Sequence, residues 1–156
     1  MYNNLGNVYF DLKDYIEAED AYRQAIAKDP NDAAAYSNLG ILLRLNGRIE
    51  DVLPLLEKMI EINPEDFNPY LAIASINKQL EKVMPTECMD KARQFMPDDD
   101  WYNRACLESV AGNIDKAFDY LKEAAQLEKF DPGWARQDPD LQWLGDDPRF
   151  KGLVSE

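Results

Sequence analysis

The stretch that decides the fold is YNNLGNVYFDLKDYIEAEDAYRQAIAKDP, residues 2–30, because its pattern of large and small residues returns one repeat later. The recurring positions are apolar, small or Pro, and they are Tyr2, Leu5, Gly6, Tyr9, Ala18, Tyr22, Ala25 and Pro30, which return as Tyr36, Leu39, Gly40, Leu43, Val52, Leu56, Met59 and Pro64. Small residues such as Gly6 and Ala18 let two antiparallel helices approach each other closely. One such hairpin buries its apolar face on one side only, so stability requires stacked neighbours. The sequence therefore predicts an all-α chain built from successive helical hairpins.

The same hairpin pattern runs through most of the chain. It predicts helices over about residues 1–12, 15–28, 32–46, 49–62, 99–111 and 114–128. Asp32 and Asp66 are placed to cap helix starts, and Gly47 to end a helix in the left-handed conformation. Pro54 lies inside the predicted helix 49–62, where it lacks an N–H, and predicts a kink. The second half of the third repeat is irregular, with Pro85 expected near the first turn of a shortened helix.

A period of 34 residues that ends in Pro, with large residues at helix crossings and small ones at close contacts, resembles the tetratricopeptide (TPR) repeat. The resemblance implies a right-handed superhelical α-solenoid. It implies four repeats at about residues 1–31, 32–65, 66–97 and 98–128, of which the third is degenerate.

The last part of the chain, residues 129–156, has a different pattern and is expected to form a C-terminal capping segment. It contains QDPDLQWLGDDPRF, which resembles the DPDL...DDPRF ending that follows TPR arrays in many bacterial proteins. Asp138-Pro139 and Asp147-Pro148 each have the form of an N-cap followed by Pro at the first helical position, so two short helices are expected. The apolar residues expected to cover the last exposed helix face are Trp134, Leu141, Leu144, Phe150 and Leu153. The alternative is that they form a partner-binding aromatic patch.

Composition favours binding over catalysis. The chain has 156 residues, a formal net charge of -13 and no His. The charge disfavours nucleic acids and anionic membranes as partners, and the lack of His excludes imidazole catalysis and His-based metal sites. No Gly-rich phosphate loop is present, and Asp98-Asp99-Asp100 lacks the ligand spacing of a calcium loop, so we expect a helix cap there. The sequence predicts no enzyme, no cofactor and no bound metal.

Two further features bear on location. Cys88 and Cys106 show neither disulfide nor zinc spacing, which fits a reducing compartment. No apolar run approaches the length of a membrane span. We therefore expect a cytoplasmic protein without membrane insertion.

The resemblance also implies where a ligand binds, because the first helix of each TPR repeat lines the concave face. The implied groove positions are Asn3, Asn4, Asn7, Phe10, Ser37, Asn38, Ile41, Arg44, Leu71, Ser75, Lys78, Tyr102, Asn103 and Cys106. Asn4, Asn38 and Asn103 share one repeat position, and an amide offers both a donor and an acceptor. These three residues predict a ladder that holds a peptide backbone. The alternative is that Asn is simply common at this place in the repeat.

One known TPR specificity, the carboxylate clamp of co-chaperone domains, is tested by the same positions. Asn7 and Asn38 match the asparagines of that clamp. The clamp also needs Lys, Lys and Arg, where this chain has Asn3, Asn68 and Ala72. An acidic chain end would meet too little positive charge, so this specificity is rejected.

A second charged feature is the pair Arg44 and Lys78, which occupy the same helix position in adjacent repeats. One interpretation is a basic spot in the middle of the groove that binds a ligand carboxylate. The other is that each cation complements the C-terminal end of its own helix.

The predicted function is a protein-protein interaction module that binds a peptide segment or partner protein, neutral or basic overall, in the concave groove. The first alternative is a self-assembly module, with a homo-oligomer formed through the open N-terminal repeat edge at Met1. The second is a regulatory TPR domain of a larger multidomain enzyme.

Overall fold

The computed structural model describes residues 2–127 and 130–155, and in these ranges every regular element is helical. The α-helices are α1 Tyr2–Asp11, α2 Tyr15–Lys28, α3 Ala33–Leu45, α4 Leu53–Ile62, α5 Phe67–Gln79, α6 Thr86–Phe95, α7 Trp101–Ala111, α8 Ile114–Ala125, α9 Pro132–Gln137 and α10 Pro148–Val154. Two single turns of 3-10 helix are formed by Glu50–Val52 and Gln142–Leu144. The all-α prediction is confirmed.

The helices form two compact units, which we call unit 1, Met1–Glu65, and unit 2, Asp66–Glu156. In unit 1, α1 packs on α2 and α3 on α4, and α2 also contacts α3. In unit 2, α5 packs on α6 and α7 on α8, with further contacts from α6 and α5 to α7. Each unit is therefore a stack of helical hairpins, as expected for an α-solenoid.

The helix ends in unit 1 follow local capping rules. The Asp32 carboxylate accepts a hydrogen bond from the Ala35 N–H at 3.1 Å, and α3 starts directly after Asp32. Gly47 has φ +74°, in the left-handed region where Gly is favoured. Both predicted helix-end signals are confirmed.

The kink expected at Pro54 is wrong. The chain makes a 3-10 turn at Glu50–Val52, and α4 begins only at Leu53, so Pro54 lies in the first turn of the helix. An N–H at that position has no intrahelical partner, so its absence costs little. The helix predicted over 49–62 is therefore shorter than expected.

The first three helices of unit 2, α5 to α7, begin close to where the sequence predicts. The Asp66 carboxylate accepts from the Asn68 N–H at 3.0 Å at the start of α5. Pro85 directly precedes α6, which has 10 residues against 14 in α2. Asp100 caps α7 by accepting from the Asn103 N–H at 3.3 Å, which is the helix cap expected for the acidic run.

A buried carboxylate joins three helices of unit 2. Glu108 on α7 is 3% exposed and accepts hydrogen bonds from Arg93 on α6 at 3.3 Å, Lys116 on α8 at 3.2 Å and Asn113 at 2.6 Å. Burial raises the pKa of Glu108, but the hydrogen bonds from Asn113, Lys116 and Arg93 outweigh it and hold the pKa below its ordinary value. The ionised carboxylate thus fixes α6 and α8 against α7.

The C-terminal helices match the prediction in part. Asp147 caps α10 by accepting from the Arg149 N–H at 2.9 Å, with Pro148 as the first helical residue. The helix expected at Asp138-Pro139 is wrong, because α9 ends there and a turn follows. The overlooked signal is Asp131-Pro132, where Asp131 caps α9.

Helix α8 ends at Ala125, and the predicted end at Glu128 lies outside the described residues.

The final helix, α10, covers part of α8. Phe150 is buried, and the Arg149 guanidinium lies 4.1 Å from the centroid of the Phe118 ring while donating to Asp115 at 2.8 Å. Leu141 and Leu144 are also buried, whereas Trp134 is exposed. Of the residues expected to cover the helix face, Trp134 therefore stays mostly exposed.

Gly6 and Gly40 hold equivalent repeat positions but have different surroundings. A methyl group at Gly6 would lie 2.4 Å from Cε1 of Tyr22, a residue that is only 2% exposed. A methyl group at Gly40 would lie 3.4 Å from Cγ1 of Val52, an ordinary contact distance. The close helix contact predicted for this small residue is therefore tighter at Gly6 in the first hairpin than at Gly40 in the second.

We expect Gly6→Ala to lower the free energy of unfolding by about 1–3 kcal/mol, because a rigid buried ring must move. The matched variant Gly40→Ala should be neutral or stabilise the protein by up to about 1 kcal/mol, since Ala favours the helix. Urea denaturation of both variants and the wild type checks this. Equal destabilisation by the two substitutions would contradict the packing described for Tyr22.

Candidate functional site

The predicted groove residues lie on the first helix of each hairpin. In unit 1 these helices are α1 and α3, and in unit 2 they are α5 and α7. The side chains behave differently in the two units, so each face is described separately.

In unit 1 an asparagine cluster joins α1 to α3. The Asn38 amide Nδ2 donates to Oδ1 of Asn3 at 2.9 Å and to Oδ1 of Asn7 at 3.0 Å. Asn3 and Asn7 are four residues apart and so lie on one face of α1. The Tyr22 hydroxyl from α2 also donates to Asn7 Oδ1, at 2.9 Å. Burial, with a smaller effect from the charge of Asp11, raises the pKa of Tyr22 and keeps this hydroxyl a donor.

An open cavity of about 270 Å³ lies beside this cluster. Its lining is formed by Asn7, Phe10, Asp11, Tyr22, Asn38 and Ile41. Within the described residues, Nδ2 of Asn7 and Oδ1 of Asn38 have no hydrogen-bond partner. Ile41 is 50% exposed. The cavity therefore offers an amide donor, a carbonyl acceptor and apolar surface, which is what a peptide group with a flanking side chain requires.

The amide ladder expected from repeat positions has a different composition. Asn38 contacts Asn3 and Asn7, whereas Asn4 is exposed and makes no hydrogen bond to Asn38. In unit 2 the Asn103 amide donates to Asp100 Oδ2 at 2.8 Å and so belongs to the cap of α7. The sequence analysis did not predict that the Tyr22 hydroxyl joins the cluster, because Tyr22 lies on the second helix of the hairpin. The signal that could have found it is the large Tyr ring paired with the small residue Gly6.

In unit 2 several predicted groove residues are buried, among them Leu71, Ser75 and Cys106. Residues 138–143, which we call the groove segment, lie against this face. The Ser75 hydroxyl donates to the Asp140 carboxylate. The Tyr102 hydroxyl donates to Asp138 Oδ2 at 2.8 Å, and the Cys106 thiol lies 3.9 Å from the same oxygen. The α5–α7 face is therefore occupied by the chain itself.

Lys78 also binds within unit 2. Its ammonium donates to the backbone oxygens of Ser109 at 2.9 Å and Val110 at 2.8 Å, and lies 4.1 Å from the centroid of the Trp143 ring. Burial lowers the pKa of Lys78. This cation complements the end of α7 rather than that of its own helix. A joint basic spot with Arg44 of unit 1 stays a prediction.

The buried hydroxyl and thiol of this face are held in their neutral forms. Burial raises the pKa of Tyr102, and the hydrogen bond to Asp138 raises it further. Burial, followed by the charges of Asp138 and Asp140, raises the pKa of Cys106. A protonated buried thiol is a poor nucleophile, so Cys106 has the properties of a hydrogen-bonded core residue.

Residues 2–127 and 130–155 contain neither a metal-ligating cluster nor a bilayer-spanning helix. No group of three or more Cys, Asp or Glu side chains there is arranged to hold a metal ion. Nor is any helix in those ranges both long enough and apolar enough to cross a bilayer.

Comparison with known families and sequences identifies the repeats. Two families described as tetratricopeptide repeat match residues 1–32 and 21–53. Hsp70-Hsp90 organizing protein 3 of Arabidopsis thaliana is 31% identical over 159 residues, covering 96% of this chain and 26% of the relative. Cell division cycle protein 16 homolog of Homo sapiens is 36% identical over 64 residues, covering 41% of this chain and 10% of the relative. The chain thus spans about a quarter or less of these relatives.

Solved structures show the same fold. PilW, a type IV pilus biogenesis factor, superimposes with a TM-score of 0.68 at 16% identity, covering 99% of this chain and 77% of PilW. YrrB, described as a TPR protein with an unusual peptide-binding site, gives a TM-score of 0.60 at 14% identity, covering 97% of this chain and 84% of YrrB.

The position of the groove segment can be tested through Cys106. In a Cys88→Ser background Cys106 is the sole cysteine, and we expect Asp138→Ala to accelerate its reaction with a thiol reagent at least about tenfold. The substitution removes both a cover and a negative charge from the thiol. The matched control is Asp146→Ala, an exposed carboxylate of the same tail. Equal reaction rates in the two variants would show that the segment does not cover α7.

Proposed function

We propose that this chain, which contains tetratricopeptide repeats, is a protein-interaction module that binds an extended peptide segment of a partner on the α1–α3 face. The observation that carries the proposal is the cluster of Asn3, Asn7 and Asn38 beside an open cavity. The cluster fixes the amide orientations before a ligand arrives, which lowers the entropy cost of binding.

The lining of the cavity suggests how a peptide is recognised. The free amide donor of Asn7 and the carbonyl of Asn38 bind one peptide group of the backbone. Phe10 and Ile41 contact an apolar side chain next to it. Asp11 is the only charged residue among the described lining residues and the chain has a net charge of -13, so the partner is neutral or basic overall.

The relatives support protein binding in general terms. The Hsp70-Hsp90 organizing proteins are named for acting with other proteins, and YrrB is described as having a peptide-binding site. We do not propose that this chain binds the same chaperones, because Asn3 and Ala72 occupy positions where the carboxylate clamp needs basic residues.

The proposal includes the finer features expected from the sequence. These are a cytoplasmic location, four repeats up to about residue 128 followed by a capping segment, and no catalytic activity of its own. Self-assembly through the N-terminal edge and a regulatory role within a larger enzyme remain the alternatives. Sedimentation distinguishes self-assembly from the proposed function, since a peptide-binding module need not self-associate.

The proposed face can be tested with a displayed heptapeptide library selected on the wild-type protein. We expect neutral or basic peptides whose affinity falls at least about tenfold in Asn38→Ala and in Ile41→Ala, because both side chains line the cavity. Ile41 is half exposed, so its variant remains folded even if loss of the Asn38 bonds lowers stability. Fluorescence anisotropy measures the affinities.

Asn4→Ala is the matched control, because Asn4 shares the repeat position of Asn38 but lies outside the cluster. Its affinity for the same peptides should change less than about twofold. Selected peptides that bind normally to both cavity variants would overturn the proposal. An equal loss in Asn4→Ala would favour the ladder predicted from the repeat positions.

A further inference from the structure

A second cavity, of about 290 Å³, lies in unit 2 between the start of α7, the end of α8 and the beginning of α9. Four of its lining residues are aromatic and three are carboxylates. They are Trp101, Tyr102, Phe130 and Trp134, with Asp99, Asp100 and Asp131, and Ala124 and Leu127 also line the cavity. None of these described lining residues is Lys or Arg. We call this site the aromatic cavity.

The aromatic cavity is open to solvent although much of its wall is apolar. Trp134 is 58% exposed and Leu127 is 52% exposed. The rings of Tyr102 and Phe130 have centroids 6.3 Å apart and planes inclined by 59°, so they form two walls set at an angle. Large apolar side chains left exposed around one cavity are typical of a ligand site rather than of an ordinary surface.

The carboxylates make the aromatic cavity electronegative. Asp100 and Asp131 cap α7 and α9 through their side chains. Asp99 is exposed and forms no hydrogen bond or ion pair with any described residue. Ring faces attract cations through their quadrupole, and carboxylates do so through their full charge.

From this combination we infer that the aromatic cavity binds an alkylated ammonium group, as found in choline or in a methylated lysine side chain. Alkyl groups on the nitrogen fill apolar space and replace the strong hydration of a bare ammonium. The positive charge meets the ring faces and the three carboxylates. A neutral ligand of the same shape lacks the charge, and an unmodified amine loses more hydration on entering.

The direct test is a titration of the whole chain with choline and with its neutral isostere, 3,3-dimethylbutan-1-ol, followed by the indole N–H signals of the three Trp residues in NMR spectra. We expect choline to shift the signals of Trp101 and Trp134 but not that of Trp143, and to bind at least about fivefold more tightly than the isostere. Equal binding of the two compounds, or binding of neither, would overturn the inference.

Variants locate the site and separate charge from apolar contact. Trp134→Leu keeps an apolar side chain but removes a ring, and Asp99→Asn removes a charge, so each should weaken choline binding at least about threefold. Asp146→Asn is the matched control, because it removes one exposed charge of unit 2 away from the cavity and should have no effect. An equal weakening of choline binding by Asp99→Asn and Asp146→Asn would show that choline senses only net charge and would overturn the inference.

The source of the ammonium group is decided by two peptides that differ only in trimethylation of one lysine. Tighter binding of the trimethylated peptide than of choline supports the site with a partner protein as its source. Equal affinity for that peptide and choline supports the site with a free alkylammonium compound as its ligand. Preference for the unmodified lysine peptide would overturn the inference.

Discussion

The contact between the Tyr22 ring and Gly6 sets the geometry on which the proposed binding face depends. Because the ring lies where a methyl group at Gly6 would be, the Tyr22 side chain on α2 approaches the backbone of α1 directly. That approach brings the Tyr22 hydroxyl to Asn7, and Asn7 in turn accepts from Asn38 on α3. A packing constraint inside one hairpin therefore fixes polar groups on a surface that two hairpins share.

The two units treat equivalent helix faces in opposite ways. In unit 1 the polar groups of α1 and α3 bind one another and leave a donor and an acceptor beside an open cavity. In unit 2 the corresponding polar groups of α5 and α7 bind the groove segment. Buried Asp138 accepts from Tyr102, Cys106 and the backbone N–H of Asp140, so neutral donors satisfy its carboxylate oxygens. The groove segment thus provides hydrogen-bond partners for the buried polar residues of the α5–α7 face.

Local signals account for what could be predicted from the sequence. The hairpins follow from the repeat period, and the helix ends at Asp32, Asp66 and Gly47 follow from capping chemistry within three residues. Pro54 was misplaced because a Pro in the first turn and a Pro in the interior look alike until the helix start is known. Asp138 was misread because its carboxylate accepts from the Asp140 N–H, as a helix cap does, yet only a turn follows. Here that carboxylate binds Tyr102, 36 positions earlier, a contact that no local pattern encodes.

The central claim is that unit 1 presents the open binding face while the corresponding face of unit 2 is filled by the groove segment. Hydrogen–deuterium exchange of the whole chain, with and without a saturating heptapeptide selected from the library, tests it most directly. The account predicts slower exchange in Tyr2–Asp11 and Ala33–Leu45, with no change in Phe67–Gln79 and Trp101–Ala111. Protection of α5 and α7 without protection of α1 and α3 would contradict it.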